Sequence, residues 1–371
     1  MSFGVRLKYA RERAGLTGQQ VQDRTGIGKS SLSEFEKEKR EPSISQLDKL
    51  AKLYHRSISF FFEEGDIPSE TVCWRKRPQE MEVAKEAETR FLQLCKQYHN
   101  LEMWTNEKET PDIPYAEGSP DRFGYPEAEN LATTVRKSLH LGDHPATELF
   151  TCLEEVWYIK IFHDDRLPDG TAISAVSETF GPAILLNANN APARRPFDLA
   201  HELFHILTHR IFRSERTDCV NSDKEEKLAT CFAGNLLMPP EAIKSAVARK
   251  KKDEGKLPYE TLIDIAREFG VSTEALLWHL HILYRRGKTG EAKTNEQIKN
   301  IKKLEINYPA RENIPAPLIP QRYYDLAARA LRNGEMSLGR FAEYVGISRH
   351  KAMEILERES VADEEIEFTS L

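Results

Sequence analysis

RRPFDLAHELFHILTHR, residues 194–210, is the stretch that most limits how this chain can fold. Phe197, Leu199, Ala200, Leu203, Phe204 and Leu207 surround two histidines, so a helix here is apolar over most of its circumference and has to be buried. Buried imidazoles need partners. His201 and His205 are four residues apart, which at 3.6 residues per turn puts both rings on one face, within reach of a single metal ion. Zinc takes nitrogen and oxygen donors in a tetrahedral set, and a catalytic site keeps one place for water. Glu202, beside the first histidine, is not spent on the metal and can accept a proton from the water that attacks a peptide carbonyl. The competing reading, two surface histidines on an amphipathic helix, fits poorly with so much apolar surface. H-E-x-x-H alone arises too readily by chance to decide the matter.

A third ligand has to come from another element. Downstream, DKEEKLATCFAGNLLMPP predicts a helix with Leu228, Ala229, Phe232, Ala233, Leu236 and Leu237 inward. Glu225 and Glu226 both precede this stripe by one turn, and helical phase does not choose between them.

The amino-terminal sixty residues read differently. LTGQQVQDRTGIGKSSLSEFEKEKREPS predicts a helix capped by Thr17, a turn at Gly26, and a second helix beginning near Gly28, with Val21, Ile27, Leu32 and Phe35 packing the pair. This is a helix-turn-helix pattern. Its second helix offers Lys29, Ser30, Ser31, Ser33 and Glu34 to base edges and phosphates, and Lys37, Lys39 and Arg40 follow where they can meet the backbone. A helical docking module that binds no DNA is the alternative.

Both segments resemble known families. Gly15-Leu16-Thr17, Gly26-Ile27, Glu36-Lys37 and Arg40-Glu41-Pro42-Ser43 resemble the XRE, or Cro/C1-type, repressors. That resemblance implies operator DNA as a partner, and a homodimer reading paired half-sites. Gly18 stands where those proteins usually carry a phosphate-binding glutamine, a role Gln19 can take over, and Gln22 replaces a small buried alanine. RRPFDLAHELFHILTHR together with EKLATCFAGNLLMP resembles the ImmA/IrrE metallopeptidases over about residues 127–246. The family draws its third zinc ligand from the Glu of an E-x-x-A-x-x-F-A segment, so the resemblance selects Glu226 over Glu225. It further implies a zinc endopeptidase whose substrate is a repressor of the XRE type. Phe204 and Thr230 replace a frequent glycine and a common asparagine without touching a ligand position.

Around these motifs the chain is expected to divide into four parts. They are a helix-turn-helix domain over 1–66, a linker with one long helix over 67–120, a peptidase-like domain over 121–285, and a connector with carboxy-terminal helices over 286–371. The fold class is multidomain: an all-α amino-terminal domain, an α+β zincin-like domain and an α-helical end. VWYIKIF and AILLNAN are the clearest strand-like runs, and GPAILLNAN reads equally well as a paired core strand or as an edge that takes substrate as an added strand. RRGKTGEAKTNEQIKN reads as a polar connector. AREFGVSTEAL and AEYVGISRHKAM are two more helix-turn-helix-like pairs, the first completing the peptidase-like domain, the second suited to packing or partner docking, with Arg349, His350 and Lys351 leaving DNA contact open.

A net charge of −6 excludes coating nucleic acid through overall charge, though not a local basic patch. Five scattered cysteines with no C-x-x-C pair give neither a disulfide framework nor a zinc ribbon. The absence of a long apolar run or a secretion-type start leads to the expectation of a cytoplasmic protein without a membrane partner. Two functional readings follow. One is a DNA-binding regulator fused to a zinc endopeptidase that cleaves a regulator or itself; the other is a non-catalytic repressor or antitoxin-like regulator using the peptidase fold as a sensor.

Overall fold

The structure is a computed structural model that describes residues 2–54, 56, 58–62, 71–75, 78, 80–212, 222–250, 257–284, 287–305 and 315–362. Cys219, counted above, lies outside them, as does the stretch 63–70. Two compact units are formed, Met1–Gln93 with Pro111–Leu318, and Leu94–Thr110 with Ile319–Leu371.

The first unit begins with four short helices, α1 (Phe3–Arg13), α2 (Gly18–Thr25), α3 (Lys29–Glu36) and α4 (Ile44–Leu53). Leu7, Val21, Ile27, Leu32, Phe35 and Leu50 close their shared core. Thr17 caps α2 in a reciprocal box with Gln20, and Gly26 ends the helix at φ 73°, a left-handed conformation that costs glycine little. Gly28 has no side chain with which to cap α3. Gln22 supplies the acceptor instead, its Oε1 taking the Lys29 N–H at 2.9 Å, which explains the glutamine in place of a small residue.

Next comes a sheet in the order β1-β3-β4-β2, built from β1 (Thr71–Trp74), β2 (Lys160–Asp164), β3 (Ala172–Ser177) and β4 (Gly181–Asn187). β2 runs parallel to β4, whereas β3 is antiparallel to both β4 and β1. β4 is paired on both sides, so GPAILLN is a core strand rather than a free edge. The run VWYIKIF becomes a strand only from Lys160, because α7 (Leu149–Glu155) ends just before it and Tyr158 takes φ 52°.

One sheet face carries Ala172, Ile184, Leu186 and Ile161 into a core shared with α8 (Arg195–Leu207) and α10 (Asp223–Leu237). The opposite face receives the first half of α5 (Met81–Trp104), where Phe91 meets Phe162 edge-on, Trp74 Nε1 donates to Glu88, and Arg90 donates to Asp164. α6 (Tyr125–Ser138) packs along α10. α9 (His209–Phe212) follows α8 directly. α11 (Pro240–Lys250), α12 (Tyr259–Glu268), α13 (Thr273–Leu283) and α14 (Gly287–Glu305) complete this unit. α14 corrects the expectation of a polar connector: Ile298 and Ile301 bury themselves in the core and Lys302 pairs with Glu274, enough to hold a mostly polar segment helical.

The second unit joins the last part of α5 to α15 (Gln321–Arg332), α16 (Leu338–Val345) and α17 (Arg349–Ala362). Tyr98 meets Tyr323 edge-on, and Arg322 donates to Glu102 at 2.8 Å. Chain-wide among the described residues, the fold is mostly helical with one small mixed sheet, and no helix is long and apolar enough to cross a membrane.

Candidate metal centre and helix-turn-helix surface

α8 presents His201, Glu202 and His205, each at most 3% exposed, in the middle of its buried length. The histidine ring centroids are 5.1 Å apart, as their four-residue spacing requires. α10 starts at a Ser222 cap whose Oγ accepts from the Glu225 N–H, and this fixes the two glutamates of its first turn against α8. Glu226 places Oε2 3.1 Å from His201 Nε2 and Oε1 3.4 Å from His205 Nε2. One donor atom each from His201, His205 and Glu226 lies within 4.8 Å of the others, the spacing a small cation needs to touch all three.

Glu225 does not point into this cluster. Its Oε1 accepts from His205 Nδ1 at 2.9 Å, leaving the Nε2 of that ring facing Glu226. The two adjacent glutamates that helical phase leaves equivalent thus take separate places: one faces both Nε2 atoms, the other holds a ring from behind. Such a partner fixes the imidazole tautomer and raises its basicity as a donor. Sequence reasoning weighed Glu225 only as a ligand and missed this part.

Glu202 is wholly buried, and neither of its oxygens accepts a hydrogen bond of normal geometry. Nor is Ser174 Oγ on β3 hydrogen-bonded, although it is close enough to help hold the Glu202 charge. An unpaired buried carboxyl is costly unless something else engages it. Burial pushes it up to about 7, against the lowering pull of His205 and Arg75. Burial and the Arg75 charge together take His201 down to about 3. For His205 burial acts downward too, but Glu225 and Glu226 prevail and raise it to about 9. Burial works to raise the Glu226 carboxyl, and its bonds to the two histidines overcome that and hold it far below the usual carboxylate range.

The start of α8 is tied down by Asp198, which pairs with Arg75 and Arg194 and accepts from Asn190 Nδ2 at 2.8 Å. Arg195 donates to the Asn190 carbonyl. His209 stays outside the cluster, bonded to the Ile206 carbonyl and edge-on to Tyr115.

On the helix-turn-helix surface, Lys29, Ser30 and Glu34 of α3 are exposed while Ser31 and Ser33 are half-buried. Lys37, Lys39 and Arg40 are exposed just beyond the helix. Gln19 is exposed at the start of α2 and donates to Asp23 at 3.0 Å. Gly18 packs beside Lys29, where an added Cβ would stand 3.3 Å from Cγ.

Comparison with known families matches two separate stretches of the chain. Residues 155–281 match the family described as IrrE N-terminal-like domain, and residues 7–61 match the family described as helix-turn-helix. The chain joins an XRE-type helix-turn-helix to an IrrE-like peptidase-family domain. The cluster of His201, His205 and Glu226 lies wholly inside the IrrE-like match. Among curated proteins, the chain is 36% identical over 67 residues to the HTH-type transcriptional regulator ImmR of Bacillus subtilis (strain 168), covering 18% of this chain and 53% of that one. It is 39% identical over 67 residues to the HTH-type transcriptional regulator PuuR of Escherichia coli (strain K12), covering 36% of that protein. The chain therefore spans about half, or less, of the length of the curated relatives it matches. The crystal structure of Bacillus thuringiensis PlcR in complex with the peptide PapR7 and DNA aligns over 98% of both chains at 11% identity, but its TM-score of 0.16 carries no fold assignment.

Proposed function

We propose that this protein is a DNA-binding transcription regulator whose IrrE-like domain is a zinc endopeptidase acting on a regulator protein or on the chain itself. The observation that carries the reading is the donor set of His201, His205 and Glu226 standing next to an unpaired, fully buried Glu202. Two imidazoles and one carboxylate form the donor chemistry of a catalytic zinc site, and the mutual spacing fits one ion. Zinc, when bound, supplies Lewis-acid polarisation of the scissile carbonyl.

The remaining work falls to the chain's own groups. His201 and His205 offer Nε2, and Glu225 holds the His205 ring in the orientation that does so. Glu202 Oε takes the proton of the attacking water and can return it to the leaving amine nitrogen, a task that requires a carboxylate free of other bonds. Lys29, Ser30, Ser31, Ser33 and Glu34 reach base edges, while Gln19, Lys37, Lys39 and Arg40 contact phosphates, the chain acting as a homodimer on paired half-sites in the cytoplasm.

A non-catalytic regulator with a sensor domain is the second reading, compatible with the regulator names of the two curated relatives, each matched over only 67 residues. Glu202→Gln separates the two. The variant is expected to retain zinc while a co-expressed XRE-type repressor, cleaved by the native chain, stays intact. Cleavage that persists in Glu202→Gln overturns the mechanism.

A further inference from the structure

β1 lies outside the IrrE-like match, in the chain between the helix-turn-helix helices and α5, yet it forms the outer strand of the sheet beside the candidate metal centre. Its pairing is antiparallel and in register over four residues, Thr71 with Val176 through Trp74 with Ile173, and the Arg75 N–H extends the ladder to the Ala172 carbonyl at 3.0 Å. Without β1, β3 would present that same row of backbone donors and acceptors at the sheet edge, a ready template for an extended polypeptide.

The position of this edge gives it meaning. β3 packs directly against α8, and Ser174, opposite Cys73, is buried on that face, so the middle of the ladder runs along the helix that carries the proposed general base. Side chains directly opposite in an antiparallel pair share a face, which places Cys73 on the α8 side of the sheet. Arg75 then turns to pair with Asp198, one helical turn before His201. The segment is thus anchored at three places, along β3, at the head of α8 and through Trp74 Nε1 to Glu88 of α5.

We infer that residues 71–75 are a built-in occupant of the substrate edge, a strap that must leave β3 before a second extended polypeptide can lie beside Glu202. The inference rests on the peptidase reading above for what the edge is used for, but not for whether the edge is covered. A partner that binds only when the strap is open sees its affinity reduced by the open fraction. The strap therefore makes the peptidase latent in the resting chain, and its sequence, extended and paired antiparallel, models the geometry in which a substrate binds.

The test uses the full-length chain in a Glu202→Gln background and a fluorescent peptide copying residues 69–78, SETVCWRKRP with serine in place of the cysteine. Replacing residues 71–75 by alternating Gly and Ser disrupts all three anchors, and Arg75→Ala removes one. Polarisation is expected to show at least about tenfold tighter peptide binding to the replaced chain than to the native sequence, with Arg75→Ala between them. Equal binding to all three, or no binding to either variant, overturns the strap. Should the replaced chain fail to fold by circular dichroism, Arg75→Ala decides alone, and no gain over the native sequence is the contrary result. Repeating the series with Glu202 intact and zinc supplied, and following the peptide by mass, tells the two ideas apart. Gained binding without cleavage keeps the strap and counts against the peptidase, whereas cleavage at one rate by native and opened chains keeps the peptidase and overturns the strap.

Discussion

Removing the Glu225 carboxylate should weaken zinc binding without removing any ligand. Its Oε1 lies 2.9 Å from His205 Nδ1, and both side chains are at most 2% exposed, so no water stands ready to take over the bond. Glu225→Ala leaves a buried Nδ1–H without an acceptor and frees the ring to turn its Nε2 away from Glu226. Loss of a partner of this kind costs about 10- to 100-fold in metal affinity, roughly 1.4 to 2.7 kcal/mol. Glu225→Gln, which keeps an acceptor oxygen but not the charge, should lose less. Glu226→Ala, which deletes a donor to the ion, should lose more. Competition against a chelating dye near neutral pH measures all three, with circular dichroism to show that each variant is folded. An affinity for Glu225→Ala within about twofold of native would refute the assignment of Glu225 as the residue that positions His205.

Further expectations concern the scaffold and the DNA surface. Burial takes His279 down to about 4 and His163 likewise to about 4, the latter against the bond it gives the Pro317 carbonyl. Because the folded values lie below the ordinary 6.5, the unfolded chain binds more protons between them, so this stability is complete above pH 6.5 and is lost as pH falls toward 4, by about 3 kcal/mol per group. Urea midpoints across that window should slope less in His279→Gln than in the native chain, and identical slopes would contradict the burial argument. Gly234→Ala would put a Cβ 2.9 Å from His279 Nδ1 where α10 meets α13, and a net loss of about 1–2 kcal/mol in chemical unfolding is expected despite the better helix propensity of alanine. A variant as stable as native would show that the buried ring can shift. Gln22→Ala, which removes the acceptor for the Lys29 N–H, should destabilise the helix-turn-helix by about 1 kcal/mol in thermal unfolding; no change would mean the cap is dispensable. Lys39→Ala or Arg40→Ala should each lower the salt dependence of operator binding by about one phosphate contact, and an unaltered slope would take that residue off the DNA.

The centre was legible in the sequence to the extent that it is local. The four-residue spacing of His201 and His205 and the apolar surround of α8 dictate two rings on one buried face, and the structure brings them there. Glu225 and Glu226 sit next to each other on the same turn, so only the packing of α10 on α8 could show that one faces the Nε2 atoms and the other the Nδ1 of His205. Strand detection followed residue type. β4, rich in branched side chains, stood out, whereas AISAVS of β3 is built of small residues, and TVCW of β1 is four residues inside a stretch that reads as linker. Both owe their strand conformation to partners distant in sequence. α14 has few apolar positions, and its helix depends on the tertiary burial of Ile298 and Ile301, which local periodicity underweights. The helix-turn-helix, by contrast, is written in caps and turn glycines, and Thr17, Gly26 and the buried Val21, Ile27, Leu32 and Phe35 all take the places their types require.

The most direct test of the account is the metal content of the full-length chain purified without added metal, measured by inductively coupled plasma mass spectrometry beside His201→Ala. About one zinc per native chain and little in the variant is the expected result. A folded native chain that carries no zinc and takes none up when it is offered would contradict the claim that His201, His205 and Glu226 form a zinc site.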